Sequence, residues 1–178
     1  MYKFILTVSL CAVLGFTLAP QTDNPDQNTS TNGPRTYGAV GSTLSSRWTP
    51  VTVNAKIIEF VDSNKGKLVG GGECWDLAKA ALDYSGAKWK APYDFGKKIS
   101  YASEKVLPGD IIHFKNVHFQ FENGKGSYPE HTAIIYKVNK KGEWKLAQQN
   151  FNDQRFITID DFNLAWKKSG VIEIYRPQ

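Results

Sequence analysis

The chain reads as an α+β domain, and three observations carry that reading. Apolar residues recur at helical spacing in two early segments. Short runs of apolar and β-branched residues fill the later half. Asn139-Lys140-Lys141-Gly142, a turn of hairpin composition, joins two of those runs. Helices first and mostly antiparallel strands afterwards is the α+β order, not the alternating order of a parallel sheet.

The elements follow in sequence. Lys3 gives a positive start, Phe4 to Leu18 is largely apolar, and Thr17-Leu18-Ala19 offers small residues for cleavage. Residues 1–19 therefore read as a cleaved export signal, and the run is short for a bilayer span. The expectation is a secreted or periplasmic protein with no stable membrane insertion after cleavage. Val8-Ser9-Leu10, before Cys11, lacks the small residue that precedes a lipidated cysteine. Residues 20–47 are rich in Asn, Thr, Ser, Gly and Pro and nearly free of large apolar residues. Such sequence cannot bury enough surface to offset ordering, so it reads as a flexible polar tether. The folded domain is expected over residues 48–178.

Asn54 is expected to cap a first helix running to about Ser63, with Ile57, Ile58, Phe60 and Val61 as its apolar residues. Gly66 to Gly72 reads as loop. A second helix is expected from Cys74 to about Tyr84. Cys74, Leu77, Ala78, Ala81 and Leu82 form one apolar stripe at i, i+3, i+4, i+7 and i+8. The stripe turns Cys74 toward the packed side. Leu107-Pro108-Gly109-Asp110 is turn chemistry. Five strands follow, at Ile111–Phe121, His131–Val138, Trp144 to about Asn150, Arg155–Ile159 and Val171–Tyr175. Asp160 or Asp161 is expected to cap a short helix through Trp166.

The 178 residues carry a formal charge of +5. The basic residues are scattered, with no run dense enough for nucleic acid. A modest attraction to anionic polymers is the most this charge supports. There are two cysteines and three histidines, at spacings that do not make a structural zinc site. No metal or cofactor is expected. Oligomeric state is left open.

Loss of the signal leaves Cys74 as the lone cysteine, behind Gly70-Gly71-Gly72-Glu73 and at a helix start. A cysteine nucleophile needs a lowered pKa, a nearby imidazole and donors for the oxyanion. The first turn of a helix supplies unpaired N–H groups and partial positive charge. The glycines are expected to let backbone approach a substrate. His131 opens an apolar strand, with Ala133 and Ile135 on its face. Gln148 and Asn150 alternate on the next strand, and either amide could orient the imidazole. His113 and His118 read as surface or barrel positions. Glu73 and Trp75 flank the thiol and are candidate substrate-binding residues. Glu73 would raise the thiol pKa. The bland alternative for Cys74 is a core cysteine on an apolar helix face.

This ordered set resembles the papain-like superfamily, in layout the CHAP and NlpC/P60 types. Glu73-Cys74-Trp75-Asp76 is similar to the Gln-Cys-Val-Asp of CHAP domains. His131-Thr132-Ala133-Ile134 is similar to their His-Val-Ala-Ile, and Gln148-Gln149-Asn150 to their Glu-Gln-Asn. Gly72-Glu73-Cys74-Trp75 with Leu77-Ala78 also resembles the cysteine-protease-like C-terminal domain of a yeast actin-patch adaptor. The resemblance implies a papain-like fold, helices packed on an antiparallel barrel-like sheet. It implies a cysteine hydrolase that cleaves an amide through a thioester, with Cys74, His131 and Gln148 or Asn150 as its catalytic residues. A peptide or peptidoglycan-like substrate is implied. A protein substrate, or a catalytically silent binding module on the same fold, is the alternative.

Overall fold

A computed structural model describes residues 52–122 and 124–178. The export signal, the tether and Cys11 read from the sequence lie outside the described residues. Within them the order is α1 (Val53–Asn64), α2 (Cys74–Ser85), β1 (Lys97–Ile99), β2 (Ile111–Phe121), β3 (Gly124–Lys140), β4 (Glu143–Gln148), β5 (Thr158–Asn163), a 3-10 turn (Leu164–Trp166) and β6 (Lys167–Arg176). The six strands form one antiparallel sheet ordered β1-β6-β2-β3-β4-β5. No helix among the described residues is long and apolar enough to cross a membrane.

The fold is α+β, as expected. Both faces of the sheet are covered. Ile57 and Val61 of α1, with Leu77, Ala81 and Leu82 of α2, pack on one face against Ile111, Ile134 and Ala147. The other face gathers Ile112, Phe114, Ala133, Ile135, Leu146 and Ile174 around Trp144 and Phe162. Burial on two faces explains why β3 reads as an unbroken apolar run from Ala133 to Ile135, not as an alternation.

Five details differ from the sequence reading. The strand expected over Arg155–Ile159 is β5, which begins only at Thr158 and runs on to Asn163. Thr52 caps α1, its Oγ1 accepting from the Ala55 N–H at 3.2 Å. Asn54 instead donates to Pro108 O at 2.9 Å and Asp110 Oδ1 at 3.0 Å. Asp160 and Asp161 lie in β5, opposite Leu146 and Lys145, and the helical turn starts only at Leu164, with Asn163 Oδ1 accepting from the Ala165 N–H. Pairing with β4 outweighs the local capping signal of the aspartates. The sheet has six strands where five were expected, because the three-residue β1 is too short to show alternation. β3 starts at Gly124, seven residues before His131, in an arm whose Gly, Ser and Pro suggest loop.

β2 bends in the middle. Asn116 adopts φ 49°, and the pairing of β2 with β6 shifts between Lys115 and His118. Gly170 sits across the bend, where a Cβ would lie 2.2 Å from Asn116 O. The bulge re-aims the strand, so Phe114 and Val117, three residues apart, enter the same core.

Asp110 is fully buried. It accepts from Asn54 Nδ2, from the Leu107 N–H at 2.8 Å, and from Arg176 Nε at 3.1 Å and Nη2 at 2.9 Å. One carboxylate thus ties α1, the Pro108-Gly109 turn, β2 and β6. Asp110→Ala is expected to lower unfolding free energy by about 3 kcal/mol, because it strands Arg176 and several donors. Urea unfolding measures this. A loss below about 1 kcal/mol would show that the network is peripheral.

Candidate active site

The start of α2 is shaped by its own side chains. Asp76 Oδ2 accepts from the Gly71 N–H at 2.8 Å and the Glu73 N–H at 3.1 Å, folding the glycine loop over the first turn. Gly70 and Gly72 have φ 57° and 87°. A Cβ on Gly70 would lie 2.8 Å from Asp76 Cβ, and one on Gly72 2.9 Å from Arg155 Nε. The glycines thus let the loop close on Asp76 and Arg155, in place of the expected approach to a substrate.

Three successive residues leaving β4 meet this corner. Gln149 is buried; its Oε1 accepts from the Val69 N–H at 2.9 Å and its Nε2 donates to Val69 O and Glu73 O at 2.9 and 3.0 Å. It fixes the peptide before Cys74. Asn150 lies past the end of β4, with φ 54°. Its Nδ2 donates to Glu73 Oε2 at 2.5 Å. Arg155 takes the other Glu73 oxygen and also donates to Gly71 O. Gln148 turns to His131, with Nε2 of the ring 3.1 Å from Gln148 Oε1. Of the two amides proposed to orient His131, Gln148 meets it and Asn150 is engaged with Glu73. The strand ends too early for Asn150 to share the face.

Gln148 is itself oriented. Its Nε2 donates to Asp160 Oδ2 at 3.0 Å, and Thr158 Oγ1 donates to the same oxygen at 2.6 Å. A carboxylate only accepts, so the amide must present NH₂ to Asp160 and oxygen to His131. The neutral ring then carries its proton on Nε2 and leaves Nδ1 with a free lone pair. Asp160 was missed at the sequence level because it resembles a helix cap. Only the β4–β5 pairing brings it beneath Gln148.

Cys74 and His131 line one cavity of about 690 Å³, together with Glu73, Asn150, Tyr128 and Phe151. Cys74 is a free thiol, half-buried. Burial pushes its pKa above the ordinary value, and the Glu73 carboxylate adds to the rise. Hydrogen bonds from the backbone of Thr132 and Trp75 oppose it without prevailing. The depressed thiol pKa expected from the helix start is therefore reversed by desolvation. His131 is 5% exposed and stacks on Tyr128 at 4.7 Å. Burial brings its pKa down to about 4; the bond to Gln148 opposes the shift, and nearby His113 adds to it. At neutral pH the pair is thiol and neutral imidazole.

Trp75 is not among the residues around the cavity. Its ring packs on Trp89, Tyr93 and Phe95 at 5.6, 5.6 and 5.7 Å, which makes it part of the helix-side core. His113, expected at a surface or barrel position, is fully buried. Its Nδ1 is 3.0 Å from Thr132 Oγ1, and its ring stacks on Tyr93 at 4.4 Å. His118 is exposed on β2.

The depressed His131 pKa predicts a stability profile. The unfolded imidazole takes up a proton near its ordinary 6.5, and the folded one only near 4. The contribution is therefore whole above about pH 6.5 and is lost as pH falls toward 4, by about 3 kcal/mol in all. Urea unfolding at pH 7 and pH 4.5 should show a larger acid loss for the wild type than for His131→Gln. Equal losses would mean that His131 titrates normally.

The AIM3/BBC1 Cysteine proteinase-fold domain family matches residues 32–178. The chain is similar to "Altered inheritance of mitochondria protein 3" of Debaryomyces hansenii, 26% identical over 144 residues. That match covers 68% of this chain and 15% of the relative, so the chain spans a small part of the relative's length. Two crystal structures of Ly7917 are looser likenesses. One, with the hydrolyzing product of MDP, gives a TM-score of 0.45 at 20% identity, over 71% of this chain and 63% of the other. The second gives 0.46 at 21% identity, over 71% and 62%. With an α+β fold, two helices on an antiparallel sheet, and the family matched over most of its length, this chain belongs to the AIM3/BBC1 cysteine proteinase-fold domain family.

Proposed function

We propose that this domain is a cysteine hydrolase that cleaves an amide bond in a peptide through a thioester. The observation that carries the reading is the His131–Gln148–Asp160 chain, which leaves Nδ1 unprotonated on a ring that lines the same cavity as Cys74. In the first step Nδ1 takes the thiol proton as Sγ attacks the carbonyl carbon. The N–H of Cys74, in the first turn of α2, is placed to receive the oxyanion. Collapse breaks the C–N bond, and the proton on Nδ1 passes to the leaving amine. Water, deprotonated by Nδ1, then hydrolyses the thioester, returning the thiol and releasing the acid. Gln148 stabilises the imidazolium less than a carboxylate would. A cell-wall peptide or amidase-type bond and a protein peptide bond are the two substrate classes. Export on the signal read from residues 1–19 belongs to the same proposal.

A second reading has its own support. Burial that raises the thiol and lowers the imidazole disfavours a resting ion pair. A binding module that keeps the fold and uses the cavity to hold a partner fits that as well.

Cys74→Ala is expected to abolish turnover of fluorogenic peptide amides while changing stability by less than about 2 kcal/mol. Incubation with a peptide vinyl sulfone should add Cys74 Sγ across its double bond to give a stable thioether, visible by mass spectrometry. Absence of both turnover and adduct across a broad peptide set would select the binding module.

Asp160→Asn should let the Gln148 amide turn over, because Asn offers Gln148 both a donor and an acceptor. Nitrogen-15 NMR of the His131 ring is expected to show one tautomer, protonated on Nε2, in the wild type and a mixture in the variant. The same mixture in both proteins would remove Asp160 from the orienting chain.

A further inference from the structure

The cavity at Cys74 continues well beyond the thiol. It follows the β3 arm from His131 back to Lys125. At roughly 3.3 Å per strand residue that is about 20 Å, the span of several residues of extended peptide. Its wall is aromatic. Tyr128 stacks on His131, meets Phe151 edge-on at 5.9 Å and Phe119 edge-on at 5.2 Å. Phe119 in turn stacks on Phe121 at 6.0 Å and 14°. The wall thus runs without a break from the imidazole to the far end.

Gly126 makes room for it. A Cβ there would lie 3.0 Å from the Phe121 ring, so the ring rests against bare backbone. Phe121, Tyr128 and Phe151 keep part of their surface open to the cavity. Partly open aromatic faces in a concave site mark recognition of apolar groups. The charged groups around the same space are Asp153 and Glu130, with Lys125 of opposite sign; Glu130 stays half exposed while also reaching toward His113 Nε2 at 3.5 Å, and Glu73 is engaged by Arg155 and Asn150. The balance there is mildly anionic, although the chain as a whole is basic.

We propose that this cavity is a recognition groove for an extended peptide carrying an aromatic residue and a neighbouring basic residue. The aromatic side chain lies on the Tyr128–Phe151–Phe119–Phe121 wall, and the basic one faces Glu130 and Asp153. The proposal deepens the hydrolase reading by naming its substrate class, and it rests on that reading only for what happens at Cys74. A peptide of small residues would leave the wall uncovered, so the groove favours a protein-type peptide over a wall peptide built on alanine.

The test uses the full chain with Cys74→Ala, so that binding is read without turnover. Fluorescein-labelled Gly-Gly-Phe-Lys-Gly, Gly-Gly-Ala-Lys-Gly and Gly-Gly-Phe-Glu-Gly are titrated by anisotropy. The phenylalanine-lysine peptide is expected to bind about tenfold tighter than the alanine peptide, in line with burying one aromatic side chain. It should bind severalfold tighter than the glutamate peptide. Phe121→Ala and Phe151→Ala, each added to Cys74→Ala and checked for an unchanged melting temperature, should each erase most of the preference for phenylalanine. Equal affinity for the phenylalanine and alanine peptides, or no binding of any peptide at millimolar concentration, would overturn the proposal. Selective binding to Cys74→Ala with no turnover by the wild type would uphold the groove and defeat only the hydrolase reading.

Discussion

Three consecutive residues at the end of β4 hold the sheet and the helix start in one register. Gln148 reaches across the sheet to His131, Gln149 grips the backbone of Val69 and Glu73, and Asn150 takes the Glu73 carboxylate. Each contact is between polar groups, and two of the three side chains are buried. A buried amide left unpaired costs more than a bond contributes when made. The three bonds therefore work as a constraint on geometry. Shifting α2 along the sheet would strand both ends of the buried Gln149 amide, while Gln148 holds His131 from within the sheet, so the thiol and the imidazole keep their shared cavity.

The same burial that fixes the geometry sets the electrostatics. Cys74 and His131 both lose the solvation that would favour their charged forms. Helix-start N–H groups act on the thiol from one side, and the Glu73 carboxylate acts from the other. Arg155 and Asn150 draw that carboxylate into bonds of its own. What remains is desolvation, which dominates at both residues. Burial therefore favours the uncharged form of both groups, and the proposed proton transfer would need polar groups of a bound substrate to offset it.

Much of this was legible in the sequence. The stripe from Cys74 to Leu82 located α2 within one residue of its end, and the apolar run after His131 located the central strand. Those signals are local and repeat with the period of the element. The departures share a different cause. Asp160 looked like a helix cap because its meaning lies twelve residues away at Gln148. Asn54 looked like a cap because its true partners, Pro108 and Asp110, are more than fifty residues on. The glycines before Cys74 spoke of close approach, and the close approach exists, but to Asp76 and Arg155. The sign of the thiol shift turned on burial, which the apolar stripe implied and the helix dipole obscured.

The bulge at Asn116 joins the fold to the groove. An uninterrupted β2 would send Phe114 and Val117 to opposite faces of the sheet, because side chains alternate along a strand. With Asn116 in the left-handed region and Gly170 pressed against it, Phe114, Val117 and Phe119 all belong to the face that His131 shares. The aromatic wall thus follows from one irregular residue in β2 and one glycine in β6. Gly170 has no room for a Cβ, since its neighbour is backbone and cannot rotate away. A substitution there would press on the bulge, and through it on the alignment of Phe119 and Tyr128 with the imidazole, from a strand that contributes no residue to the cavity.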